Sequence, residues 1–279
     1  MFDVGKINRL KVLRLTPPGM YLGSEVNDDV VLLPTRLIPE GLKVDDYVEV
    51  FIYTDSEDRI IATSQTPKIR LNEIAGLEVK DATQIGAFLD WGLDKDLFVP
   101  FKEQQHKMVK GEKYLVYLYL DEYSSRLAAT SKIDRFLNNE DPTFNVGDQV
   151  DLWIGDYTDL GVNVVINGQY KGLVYKNELF KKVRRGDKAV GFIKDIREDG
   201  KIDVSLQQQG FEAIDPAAQE ILAKLKTTNG FLNLNDNSDP DTIKHKLQMS
   251  KKTFKKAIGA LFRQRLISIE EDGIHLVKK

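Results

Sequence analysis

The sequence predicts a mainly β chain: three small five-stranded barrels in tandem, followed by an α+β domain of three helices and a terminal hairpin. Two observations carry this. One pattern of turn and strand residues recurs three times at matched intervals between residues 18 and 205. After Ser205 the apolar period changes from that of a strand to that of a helix.

Each copy of the repeat opens on a glycine: Pro18-Gly19-Met20-Tyr21, Ile85-Gly86-Ala87-Phe88 and Leu160-Gly161-Val162-Asn163. A short apolar strand follows, ending at Pro34, Pro100 and Tyr175, and a longer one begins after Asp46, Glu112 and Asp187. From Gly19 to Pro34 is 15 positions, and from Gly86 to Pro100 and Gly161 to Tyr175 is 14. The next step, 34 to 46, 100 to 112 and 175 to 187, is 12 in every copy. The last, to Ser64, Ser131 and Ser205, is 18, 19 and 18. In the fourth strand Val48, Val50 and Ile52 alternate with Glu49, Phe51 and Tyr53, the period of a half-buried strand. Phe51, Tyr117 and Phe192 share one place on that strand and are candidates for packing between barrels. A unit of roughly 60 residues cannot cover both faces of an open sheet, so closure into a barrel is expected. Polar, proline-containing stretches at 65–67 and 138–142 read as linkers. The expected domains are 1–66, 74–134, 146–208 and 211–279.

In the last of these, Asp215-Pro216 reads as a helix N-cap with proline at the first helical position, ahead of a face of Ala218, Ile221, Leu222 and Leu225. Asp239-Pro240 repeats the device before Ile243 and Leu247. Ser250 caps a third helix with an apolar stripe of Phe254, Ile258, Leu261 and Phe262. Strands at 266–269 and 274–277 complete a winged helix-turn-helix.

The 279 residues include no cysteine, which excludes a disulfide framework and a cysteine-ligated zinc site. No apolar run approaches the roughly 18–20 residues needed to span a bilayer, so a cytoplasmic protein with no membrane partner is expected. The net charge is −3, yet the stretch from Lys244 to Arg265 contains basic residues and no Asp or Glu. The three histidines, His106, His245 and His275, show no ligand spacing, and phosphate-loop, dinucleotide and nucleophile-elbow motifs are missing. No enzyme, metal or cofactor is expected.

The run Gly86-Ala87-Phe88-Leu89, with Leu97-Phe98-Val99, Gly111-Glu112 and 126–132, resembles an S1 RNA-binding domain of the OB fold. So does Gly172-Leu173-Val174-Tyr175 with Gly186-Asp187 and 202–206. Three S1-like barrels followed by a winged helix resemble the bacterial CvfB (conserved virulence factor B) family over essentially the whole chain. That resemblance implies a non-enzymatic RNA-binding regulator of gene expression, with virulence regulation among its roles. The implied stacking and phosphate-neutralising groups are Tyr21 with Arg59 in the first barrel, Phe88 with Arg126 and Trp91 in the second, and Tyr175 with Lys171 and Lys201 in the third. Each barrel departs from the family by keeping at most one of two aromatics around the opening glycine, and Pro34, Pro100 and Tyr175 stand where a histidine is usual. Backbone-binding cations are expected on a loop (Lys181, Lys182, Arg184, Arg185) and on the third helix (Lys251, Lys252, Lys255, Lys256). The expected partner is single-stranded RNA. The alternatives are duplex DNA read by the winged helix, or a scaffold on the ribosome or RNA polymerase.

Overall fold

The computed structural model describes residues 2–24, 29–179, 182–207, 216–263 and 266–277. Lys181, Asp215 and Arg265 lie outside the described residues. The chain divides into two compact units, Met1–Leu206 and Gln207–Lys279.

The first unit holds the three barrels. Barrel 1 consists of β1 (Ile7–Thr16), β2 (Gly19–Gly23), β3 (Val30–Pro34), β4 (Tyr47–Thr54) and β5 (Ile60–Thr63), closed in the order β1-β2-β3-β5-β4. Barrel 2 consists of β6 (Ile74–Ala82), β7 (Gly86–Asp90), β8 (Leu97–Pro100), β9 (Lys113–Leu120) and β10 (Leu127–Thr130); β8 and β10 lie side by side at its seam. Barrel 3, closed like the first, consists of β11 (Gln149–Tyr157), β12 (Gly161–Ile166), β13 (Tyr170–Tyr175), β14 (Lys188–Ile196) and β15 (Ile202–Ser205).

The opening glycine of each repeat is required by a close backbone approach. A Cβ there would meet the carbonyl oxygen of Leu33, Val99 or Val174 at 2.1, 2.4 or 2.0 Å. Three residues earlier a threonine locks the same turn: the hydroxyls of Thr16, Thr83 and Thr158 donate to the carbonyls of Gly19, Gly86 and Gly161 at 2.7, 3.0 and 3.2 Å. The repeat is thus Thr-x-x-Gly, one element more than its glycine suggested. Its closing residue also shifts. The ladders pair Phe51 with Thr63, Tyr117 with Thr130 and Phe192 with Ser205. Ser205 therefore corresponds to the buried Thr63 and Thr130, and Ser64 and Ser131 lie one position beyond.

The barrels are not beads on flexible linkers. Phe51, a candidate for packing between barrels, and Tyr53 on the same strand are 0% and 4% exposed because barrel 2 covers them. Trp91 meets both rings edge-on, with centroids 5.8 and 6.0 Å away. Full burial of one such phenylalanine contributes about 1.5–3 kcal/mol. Lys95 crosses the same seam and donates to the carbonyls of Thr54 and Asp55 at 3.1 and 2.6 Å; burial pushes its ammonium below the usual lysine range.

Barrels 2 and 3 share a smaller core of Ile74, Leu115 and Val165, flanked by Tyr117, Ile133, Leu137 and Trp153. Tyr117 stacks on Phe136 of the linker at 3.7 Å. The two backbones touch where Gly76 meets Gly186: a Cβ at Gly76 would sit 1.9 Å from the Gly186 carbonyl.

The second unit contains α1 (Pro216–Thr227), β16 (Phe231–Leu232), α2 (Pro240–Leu247), α3 (Lys251–Arg263), β17 (Ile267–Ile269) and β18 (Ile274–Leu276), with strand order β16-β18-β17. Asp239 caps α2 by accepting from the amides of Asp241 and Thr242. Ser250 accepts from the Thr253 amide and so caps α3. The buried stripe of α3 is Phe254, Ala257, Ile258 and Leu261. Phe262, expected in that stripe, is 53% exposed, because the position after Leu261 turns about 100° away from a face spaced at three and four residues.

Candidate nucleic-acid interface

The best-formed aromatic site lies on barrel 2. β7 and β8 place Phe88 directly opposite Phe98, with ring centroids 5.2 Å apart and both rings half-buried. The rings lie beside Gly86, and Ile85, at the family's first aromatic position, is 69% exposed next to them. They line a groove of about 670 Å³ that Tyr53, Thr54 and Asp58 of barrel 1 complete. Arg126 lines the same groove and is paired with Asp58 across the seam. The groove's cations Lys95, Lys102 and Arg126 face four carboxylates, Asp58, Asp94, Asp96 and Asp121. Its chemistry is that of a stacking shelf with balanced charge rather than a phosphate funnel.

Trp91 is corrected by the fold. It is 2% exposed and its indole N–H donates to the Lys95 carbonyl, so its ring is occupied in holding barrels 1 and 2 together. Only an edge of it reaches the groove wall.

In barrel 1, Tyr21 is half-buried and its cation is Arg14, directly opposite it on β1, with the guanidinium carbon 4.5 Å from the ring centroid. Arg59 instead closes the β4–β5 turn through Asp55 at 2.7 Å and Glu57 at 2.9 Å. In barrel 3, Tyr175 accepts a hydrogen bond from Arg197 at 2.5 Å, and Arg197 is held in turn by Asp203 at 2.7 Å. Lys201 pairs with Asp199 in the β14–β15 turn, and Lys171 with Asp134 of the linker, both at 2.6 Å. The expected partners of Tyr21 and Tyr175 are thereby replaced by Arg14 and Arg197. A register count would have found Phe98 and Arg14, since each lies straight across from a ring already singled out. Arg197 and Asp203 come together only through the β14–β15 turn.

Of the basic loop, Lys182 and Arg184 are exposed. Arg185 is instead a strut between barrels: its guanidinium carbon sits 3.8 Å from the Tyr114 ring centroid, its Nε donates to the Lys113 carbonyl, and Asp156 binds it at 3.1 Å. On α3, Lys252, Lys255 and Lys256 are exposed, while Lys251 is half-buried and reaches the Asn237 carbonyl at 3.5 Å. At the wing, Glu270, Asp272 and His275 converge with ligand-type atoms within 4.8 Å of one another, a grouping that histidine spacing alone did not disclose. Asp272, 3.0 Å from the imidazole, raises the His275 pKa. Among the described residues no helix is long and apolar enough to cross a membrane.

The fold and these surfaces define a chain assembled from two kinds of nucleic-acid-binding domain, S1-type barrels and a winged helix. The S1 domain model matches residues 4–65 and 73–132, and the model of the CvfB-like winged helix domain matches residues 219–276. Along nearly its whole length the chain is similar to proteins named conserved virulence factor B. That of Staphylococcus saprophyticus is 26% identical, over 99% of this chain and 95% of its own length. The uncharacterized protein YitL of Bacillus subtilis is 27% identical over 97% of this chain and 92% of its own. A crystal structure of a multidomain protein with nucleic acid binding domains from Streptococcus pneumoniae covers 98% of both chains with a TM-score of 0.52 at 23% identity, which supports the fold.

Proposed function

We propose that this chain is a non-enzymatic, cytoplasmic regulator of gene expression that binds single-stranded RNA, with its barrels supplying the stacking surfaces and α3 supplying phosphate-neutralising lysines. The observation that carries the reading is the Phe88–Phe98 shelf in an open groove. Two adjacent rings suit unpaired bases, and a duplex, whose bases are stacked on one another, offers them nothing. Because the groove's charges nearly cancel, stacking leads there and the salt-dependent share falls to exposed lysines such as Lys252 and Lys255.

The test is fluorescence anisotropy with single-stranded RNA, single-stranded DNA and duplex DNA across a salt series. Single-stranded RNA is expected to bind best, with a slope of log affinity against log salt of about −0.7 per phosphate contact. Absence of binding would sink the proposal. Preference for duplex would promote the second reading, in which α3 of the helix-turn-helix enters a major groove.

A further inference from the structure

A second cleft, of about 230 Å³, lies between barrels 2 and 3. Its floor is apolar: Leu115 and Val165 are 5% and 3% exposed, and Ile133 and Leu137 of the linker pack against them. Apart from the exposed imidazole of His106, its rim carries two cations and two carboxylates, each already matched: Lys171 with Asp134 at 2.6 Å, and Arg185 with Asp156 at 3.1 Å. Such a rim has no charge left over for a phosphate or a carboxylate. It suits a neutral, flat, polar ring. The volume is below the roughly 300–1,000 Å³ that encloses a drug-sized ligand and is of the order of one ring system.

One group on the wall is unspent. The half-buried carboxamide of Asn163 has no hydrogen-bond partner among the described residues. It offers a donor and an acceptor side by side, the pattern that pairs with the edge of a base. Asn163 is on β12, two residues after the opening glycine, where Phe88 and Tyr21 stand in the other barrels. The same surface that stacks a ring in barrels 1 and 2 therefore presents an amide in barrel 3, beside a slot of ring size.

We propose that this cleft is a nucleobase site in which Asn163 reads the edge of one base. The inference rests on the nucleic-acid reading above and deepens it: barrels 1 and 2 stack bases of any kind, and barrel 3 selects. The base has two possible sources, a strand bound along the barrels or a free nucleoside, and the experiment separates them.

Anisotropy with the four homopolymeric RNA oligonucleotides is measured for the full chain, for Asn163→Leu, and for His106→Trp, which fills the cleft from its exposed rim; circular dichroism checks each fold. The unaltered chain is expected to favour one base by about 5- to 100-fold, the discrimination typical of one amide–base pair. Asn163→Leu should reduce that spread to about twofold while the non-preferred oligonucleotides bind as before. Phe88→Ala, in contrast, should weaken all four alike. Preference unchanged in both cleft variants, with binding intact, overturns the base site and leaves RNA binding standing. If no oligonucleotide binds, the function proposal fails, and calorimetric titration with adenosine, guanosine, cytidine and uridine decides the cleft by itself. Binding of one nucleoside that Asn163→Leu abolishes assigns the site to the free ligand, and no heat from any of them overturns it.

Discussion

Two aromatic residues three positions apart behave differently because of what covers them. Phe88 is half-buried on an open groove and Trp91 is sealed against Phe51 and Tyr53. Phe88→Ala is expected to cost about 1–3 kcal/mol of RNA affinity with little change in thermal midpoint. Trp91→Ala, by emptying a packed seam, is expected to cost about 3–5 kcal/mol of stability in denaturant unfolding. Equal effects of the two on binding would show that Phe88 is also structural. The repeat pattern located Phe88 and the family resemblance added Trp91, but burial of Trp91 depends on a neighbouring barrel, which no count along the strand reveals.

At the scale of elements, the join between barrels 2 and 3 is set by a backbone contact. Gly76→Ala forces a methyl against the Gly186 carbonyl; Gly76 is held in its ladder opposite Leu115, and the turn at Gly186 is held by its amide donating to the Ile154 carbonyl at 2.8 Å. The expected result is loss of about 1–3 kcal/mol and a larger radius of gyration in solution scattering as the interface opens. An unchanged radius and stability would show that the join tolerates separation. The wing has a pH dependence of known sign. Asp272 holds the His275 pKa above its ordinary value, so the contact's contribution is fully present below the pKa of an unfolded-chain histidine and is lost as pH rises through the raised folded value. Asp272→Asn should lower the His275 midpoint in an NMR titration. Elements were largely legible beforehand. The turn glycines, the α2 cap and most of the α3 stripe follow from local chemistry, whereas the turn threonines Thr16, Thr83 and Thr158 went unread and Phe262 was misplaced by one helical step.

For the whole molecule, two units with separate cores predict more than one transition in calorimetry, one for 2–206 and one for the winged helix. A single two-state transition would mean that the units stabilise one another. The sequence by itself determined the number of barrels, their order and the change to helices, because strand period, turn glycines and capping residues act over a few neighbouring positions. Only the tertiary structure decided which aromatics face solvent, which cations are already paired and where two barrels leave a ring-sized cleft. Trp91, Arg185 and Asn163 owe their surroundings to chain segments tens of residues away, and those distances close only when the barrels pack.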